Sequence, residues 1–247
     1  MGGGDGNGCP LSPLPIAGAG GGARLSHFAI LLAGPCEPTP ALRAAVGGAR
    51  AIAADAGMRH AAALDLTPES WVGDFDGASP ALLHAYRDTP RDEHPPAKDA
   101  TDGEIALRAA LARGATRLTL VGALGGPRLD HALGTLALGL ATAERGAAVA
   151  MTDGRQWAHP VLPGRPLAFT VDGVGPLVSV IGLSDLAGLT LTGVRWPLVD
   201  ADVPLGSSLT LSNEMAGGAD ATASLRAGRA WLVRGPGDGR STRGTGT

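Results

Sequence analysis

Six aspartates hold the chemistry that this sequence could perform. Asp74 and Asp76 stand two apart in Gly-Asp-Phe-Asp-Gly (73–77), and Asp55 closes the apolar run RAIAAD (50–55). Asp99 and Asp102 lie in KDATDGE (98–104), and Asp130 follows the Gly125-Gly126 turn. The i, i+2 spacing of Asp74 and Asp76 puts both on one side of an extended segment. Carboxylate oxygens are what hard cations such as Mg²⁺ prefer, and Mg²⁺ commonly bridges protein carboxylates to a substrate phosphate. Carboxylates that meet without a cation repel one another. Singly, some have plainer readings: Asp55 as a turn residue, Asp102 as a first-turn acid favoured by the helix dipole, Asp130 as an N-cap. Asp-Phe-Asp after a buried run is not accounted for in that way.

The turn GALGGPRLDH (122–131) follows an apolar run and precedes a helical one. Gly125 and Gly126 let backbone N–H groups approach a phosphate, and Arg128 offers a planar donor fork for its oxygens. An ordinary glycine-rich turn with a surface arginine fits equally well. The turn is neither a GxxxxGK[ST] loop nor a GxGxxG dinucleotide fingerprint. His131 reads as a packed helix residue or a ligand, and Lys98 as a partner of Asp99 or of phosphate. Further along, Trp196 reads as core or as a stacking face, and Ser212 and Asn213 as turn formers or ligand hydrogen-bonders.

These residues need strands and helices to position them. Between 25 and 153 the chain alternates. The apolar runs HFAILLAG, RAIAAD, WVGDFDG, ATRLTLVGA and AAVAMTD read as strands. Between them lie TPALRAAVGG, opened by Thr39 and Pro40; SPALLHAYRD, with Ser79 as N-cap; TDGEIALRAALARG, with Thr101 and Glu104 at capping-box spacing and Gly114 as stop; and LDHALGTLALGLATAERG. This alternation predicts an α/β domain with a mostly parallel sheet over 25–153. Such a sheet binds ligands beyond the carboxyl ends of its strands, where these acids fall. From 154 to 235 only short β-type runs remain (PLAFTVDG, PLVSVIGL, LTLTGV, SSLTLSNE, DATASLRAG, RAWLV), which predicts an all-β sandwich.

Composition bounds the rest. The chain has 247 residues, with 20 Lys plus Arg against 23 Asp plus Glu, a net charge of −3 that excludes a broadly basic nucleic-acid-binding surface. Gly (39) and Pro (19) reach roughly twice their usual share. Part of that excess lies in 1–24 and 236–247, which read as flexible tails. Two cysteines make no disulfide framework. No apolar stretch is long enough to span a membrane, and the start lacks the pattern of a secretory leader. The expectation is a soluble, cytoplasmic protein.

The ordered set GDFDG, KDATDGE, GALGGPRLDH, GVRWPL (193–198) and LSNE (211–214) resembles the thiamine pyrophosphokinase family over roughly residues 27–234. The resemblance implies an α/β domain followed by a β-sandwich, a homodimer with thiamine at the subunit interface, and Mg²⁺-dependent transfer of pyrophosphate from ATP to the thiamine hydroxyl, leaving AMP. It implies Mg²⁺ and catalytic roles for Asp74, Asp76 and Asp99; the chemistry of the transfer leaves the base open among the carboxylates, with Asp76 and Asp99 as candidates. It implies a nucleotide site of Asp55, Asp102, Gly125, Gly126, Arg128 and Asp130, and a thiamine site of Trp196, Ser212 and Asn213. Two departures stand out: Pro127 interrupts the family's GGR, and ADAGMRH (54–60) replaces its ADGGAN. The alternatives are a pyrophosphokinase acting on a hydroxymethylpterin and a non-catalytic nucleotide-binding module.

Overall fold

The computed structural model describes residues 26–95, 99–169, 177–216 and 220–235, so both tails and Lys98 lie outside the described residues. Six strands run parallel: β1 (His27–Leu31), β2 (Arg50–Ala54), β3 (Pro68–Gly73), β4 (Arg91–Glu93), β5 (Arg117–Val121) and β6 (Ala148–Thr152). They lie in the order β6-β5-β1-β2-β3-β4. The chain builds outward from β1 to β4 and then returns to place β5 on the other side of β1, so the strand order reverses between β1 and β5. That reversal point is where open parallel sheets bind ligands.

Every buried strand here has two covered faces, which explains its unbroken apolar sequence. Along β1, Phe28 and Ile30 pack into one core and Ala29 and Leu31 into the other. Helices α3 (Asp102–Ala112) and α4 (Leu129–Glu144) seal the first face through Leu107, Ala110, Leu140 and Ala143. Helix α1 (Pro40–Val46) and the short 3₁₀ helices Asp55–His60 and Ala62–Leu64 seal the second, with α2 (Pro80–Ala85) at its margin. The expected caps form: Thr39, Ser79 and Thr101 each accept, at 3.2 Å, the N–H three residues on. Glu104 does not complete a capping box, because its carboxylate pairs instead with Arg108 four residues on.

After Thr152 the chain turns back as β7 (Trp157–Val161), antiparallel to β6, and β14 (Ala230–Gly235), β9 (Leu177–Gly182) and β12 (Asn213–Glu214) extend the same sheet. A second antiparallel sheet, ordered β11 (Leu198–Val203), β10 (Leu186–Thr192), β13 (Ala221–Ser224), β8 (Leu167–Phe169), packs on it. Val178, Val180 and Leu232 face Leu189, Leu191 and Ala223 across the sandwich core. One hydrogen-bonded sheet therefore runs through both halves of the chain.

Three strands escape the sequence reading. Pro160 disguises β7, but it pairs only with β14, and its missing N–H is tolerated because no strand pairs with it on the β6 side. The acids of β11 stand on an edge strand, and β4 is a three-residue exposed edge. Conversely, residues 207–212 of the expected strand SSLTLSNE are loop, turn and bend, and only Asn213–Glu214 form a strand. Among the described residues, no helix is long and apolar enough to cross a membrane.

Candidate active site

Beyond the carboxyl ends of β1, β2, β3 and β5 opens a cleft of about 890 Å³. Asp55, Asp74, Asp76, Asp99, Asp102, Gly125, Gly126, Arg128 and Asp130 all line it, as does His131. Residues from Asp55 to His131 meet there because parallel strands deliver their ends to one edge.

The floor depends on glycine. A Cβ on Gly34 would fall 2.2 Å from the Gly122 carbonyl oxygen, and one on Gly122 would fall 2.6 Å from that of Leu32. The loops after β1 and β5 thus interlock backbone to backbone at the point where the strand order reverses. Arg59 and His60, from the segment that departs from ADGGAN, brace the first of these loops. Arg59 donates to the carbonyl oxygens of Ala33 and Gly34, and the His60 Nε2 lies 3.0 Å from the latter. Nothing in an isolated Arg-His pair announces that bracing role.

Asp55, Asp74 and Asp76 each offer a carboxylate oxygen within 4.8 Å of the others. Strands β2 and β3 are parallel neighbours paired up to Ala54 and Val72, so the residues just past their ends must meet. Asp55 and Phe75 hold left-handed backbone conformations, at φ +44° and +62°. The Asp76 N–H donates to Asp74 Oδ1 at 3.2 Å, which folds the loop tightly around Phe75. Burial, and then the charges of Asp102, Asp74 and Asp76, push the Asp55 carboxyl above its ordinary range. Its Oδ1 is buried without a hydrogen-bond partner. A buried, unsatisfied carboxylate oxygen among two further acids fits the hard-oxygen donor set of a divalent cation. Asp99, expected among the ligands, lines the same cleft but stands outside this trio, and Asp55 stands in it.

Across the cleft, Arg128 donates from Nε and Nη2 to the two carboxylate oxygens of Asp130 at 2.9 and 2.6 Å. That paired contact holds the exposed Asp130 carboxyl well below the usual range. Asp130 is not the N-cap of α4: Arg128 occupies the cap position and Asp130 lies in the first turn, where helix-dipole and charge effects agree. Pro127 and Arg128 both line the cleft.

The third group of expected residues lies apart. Trp196, Ser212 and Asn213 are in the sandwich and do not line the acidic cleft of this chain. Trp196 is 52 % exposed, which excludes a core role. The Arg195 guanidinium lies over one face of its ring at 4.8 Å and pairs with Glu214 at 3.0 Å. Asn213 is buried and bonded to the Trp196 backbone, and the Ser212 N–H donates to Ser179 Oγ at 2.9 Å.

Fold and site describe a protein with an acid-lined cleft at the reversal point of a parallel sheet and an antiparallel sandwich grown from that sheet's edge. The family profile for the thiamin pyrophosphokinase catalytic domain matches residues 48–151, and that for the thiamin pyrophosphokinase vitamin B1 binding domain matches 169–229. The thiamine pyrophosphokinase of Bacillus subtilis is 31% identical over 162 residues, covering 61% of this chain and 71% of that protein. The crystal structure of thiamine pyrophosphokinase from Bacillus subtilis superposes with a TM-score of 0.74 at 26% identity, covering 85% of this chain and 99% of that one. That of thiamin pyrophosphokinase from Geobacillus thermodenitrificans gives 0.73 at 30%, covering 86% and 99%. The yeast enzyme, at 11% identity, shares the fold with a TM-score of 0.70. The chain belongs to the thiamine pyrophosphokinase family.

Proposed function

We propose that this enzyme transfers pyrophosphate from Mg²⁺-ATP to the hydroxyl of thiamine, giving thiamine diphosphate and AMP. The observation that carries the proposal is the carboxylate trio of Asp55, Asp74 and Asp76, with a buried unpartnered oxygen, in the same cleft as the Gly125-Gly126 turn. A divalent cation held there supplies charge neutralisation on the nucleotide phosphates.

The chain's own groups do the rest. The Gly125-Gly126 turn offers backbone N–H groups to phosphate oxygens. Arg128 directs Nε and one Nη2 hydrogen to Asp130, which leaves Nη1 to donate to a phosphate oxygen. Asp99 and Asp102 complete the acidic rim, and Asp76 or Asp99 takes the hydroxyl proton. The thiamine oxygen bonds to the β-phosphorus, the bond from that phosphorus to the α,β-bridging oxygen breaks, and AMP departs. Positioning and electrostatics contribute most of the acceleration in such a transfer.

In this reading residues 25–153 form the nucleotide half and 154–235 the thiamine half, where Trp196 stacks on a thiamine ring and Ser212 and Asn213 line the pocket. Because those residues stand apart from the acidic cleft of their own chain, a second copy completes the site, and the working form is a homodimer. Exposed apolar side chains support this: Leu129 (71 %) and Leu133 (55 %) beside the cleft, and Leu209 and Leu211 beside Ser212 and Asn213. The cytoplasm, where ATP and Mg²⁺ are abundant, is the proposed compartment.

The acceptor is tested by offering the purified protein ATP and Mg²⁺ with thiamine or with 6-hydroxymethyl-dihydropterin. AMP release with thiamine alone is expected. Release with the pterin alone assigns the alternative substrate, and ATP binding without AMP release from either makes the protein a binding module.

A further inference from the structure

We propose that Trp71 is the positioning residue of the carboxylate trio: one buried indole sets the separation of Asp55 from the Asp74–Asp76 pair, and with it the grip on a divalent cation. The proposal rests on reading that trio as the cation site.

Trp71 is fully buried in β3, two residues before its last residue, Gly73. It acts on both loops that carry them. Its Nε1–H donates to the backbone carbonyl oxygen of Asp55 at 2.8 Å. Its ring meets that of Phe75, the residue between Asp74 and Asp76, edge to face, with centroids 5.0 Å apart and planes at 89°. Arg91, from the edge strand β4, lies over both rings, 5.7 Å from that of Trp71 and 5.3 Å from that of Phe75.

Both residues so held sit in left-handed conformations that cost energy and persist only where the surroundings enforce them. Asp55 has little room to adjust otherwise, since a Cβ on Gly73 would already come within 3.3 Å of its Cα. The indole thus bonds to the strained residue of one loop and packs on the strained residue of the other. Trp231, equally buried, fills the core with its Nε1 unpartnered, whereas that of Trp71 is bonded to the loop that carries Asp55.

Replacing Trp71 by Phe keeps an aromatic ring and deletes that donor. Mn²⁺ binding to the full-length protein without nucleotide, followed by electron paramagnetic resonance, reads the trio directly, and thermal unfolding reads the fold. Trp71→Phe is expected to weaken Mn²⁺ binding about tenfold, the usual scale for groups that orient metal ligands, while the thiamine KM stays at the wild-type value. Phe75→Leu, which keeps the indole bond, is expected to weaken it severalfold. Wild-type Mn²⁺ affinity in a folded Trp71→Phe protein overturns the proposal. Should that variant not fold, wild-type affinity in Phe75→Leu overturns it. Asp74→Asn separates the two claims: if it weakens Mn²⁺ binding and the aromatic variants do not, only the role of Trp71 falls. If the wild-type protein binds no Mn²⁺, the cation reading falls and takes this proposal with it.

Discussion

The side-chain amide of Asn213 brackets the backbone of Trp196: its Nδ2 donates to the Trp196 carbonyl oxygen at 2.7 Å, and its Oδ1 accepts the Trp196 N–H at 3.1 Å. Trp196 can therefore stay half-exposed without wandering. Arg195 covers one face of the indole, and the proposed thiamine contact is with the other. The Asn213 Oδ1 also accepts the Glu214 N–H at 2.9 Å, so Asn213→Ala removes three bonds to backbone groups beside a buried position, at a cost of about 1–3 kcal/mol. It is expected to lower the unfolding midpoint in denaturant and to raise the thiamine KM while leaving the ATP KM unchanged.

Asp74→Asn removes one carboxylate of the trio without changing its shape. Turnover is expected to fall by at least about 100-fold, since charge stabilisation at the reacting phosphates is lost. Stability should hold or rise, because the mutation relieves repulsion on Asp55. Steady-state rates together with thermal unfolding check both halves of this statement.

The proposal that two copies share each site makes a complementation prediction. Asp74→Asn damages the cleft and Trp196→Ala the sandwich pocket, the latter chiefly as a raised thiamine KM. Mixed dimers carrying one copy of each mutant keep one intact site. At low thiamine, unfolding and refolding the two mutants together is expected to recover roughly a quarter of wild-type activity, as statistical pairing gives, and refolding them separately should recover almost none.

His159 shapes the acid limb of stability. Burial, then the nearby Arg234 charge, lowers its pKa from 6.5 to about 4, and its Nε2 is buried without a partner. The unfolded chain takes up a proton near pH 6.5 and the folded protein resists until about 4. The contribution is therefore complete above pH 6.5 and is lost as the pH falls through that window, by up to about 3 kcal/mol. His27, also lowered to about 4, acts in the same sense. Denaturant unfolding from pH 7 to 4 should show the loss, and His159→Leu should flatten part of it.

Much of this was legible in the sequence because the strands of a doubly covered parallel sheet are continuous apolar runs and their caps are local. Thr39, Ser79 and Thr101 announce three helices through the hydrogen bonds they later make. The acids at strand ends were legible for the same reason. Which of them meet was not, because strand order is not local: the pairing of β2 with β3 brings Asp55 to Asp74 and Asp76, and leaves Asp99 elsewhere on the rim. Trp71 looked like one more apolar strand residue, and only the fold shows its N–H directed at Asp55. The strand β7 was hidden by a proline whose tolerance depends on having a neighbour on one side only.

The most direct test of the central claim is the identity of the products by ³¹P NMR after incubating the purified protein with ATP, Mg²⁺ and thiamine. Attack at the β-phosphorus predicts AMP and thiamine diphosphate in equal amounts, with neither forming when Mg²⁺ is chelated. ADP with thiamine monophosphate, or no thiamine phosphate at all, would contradict it.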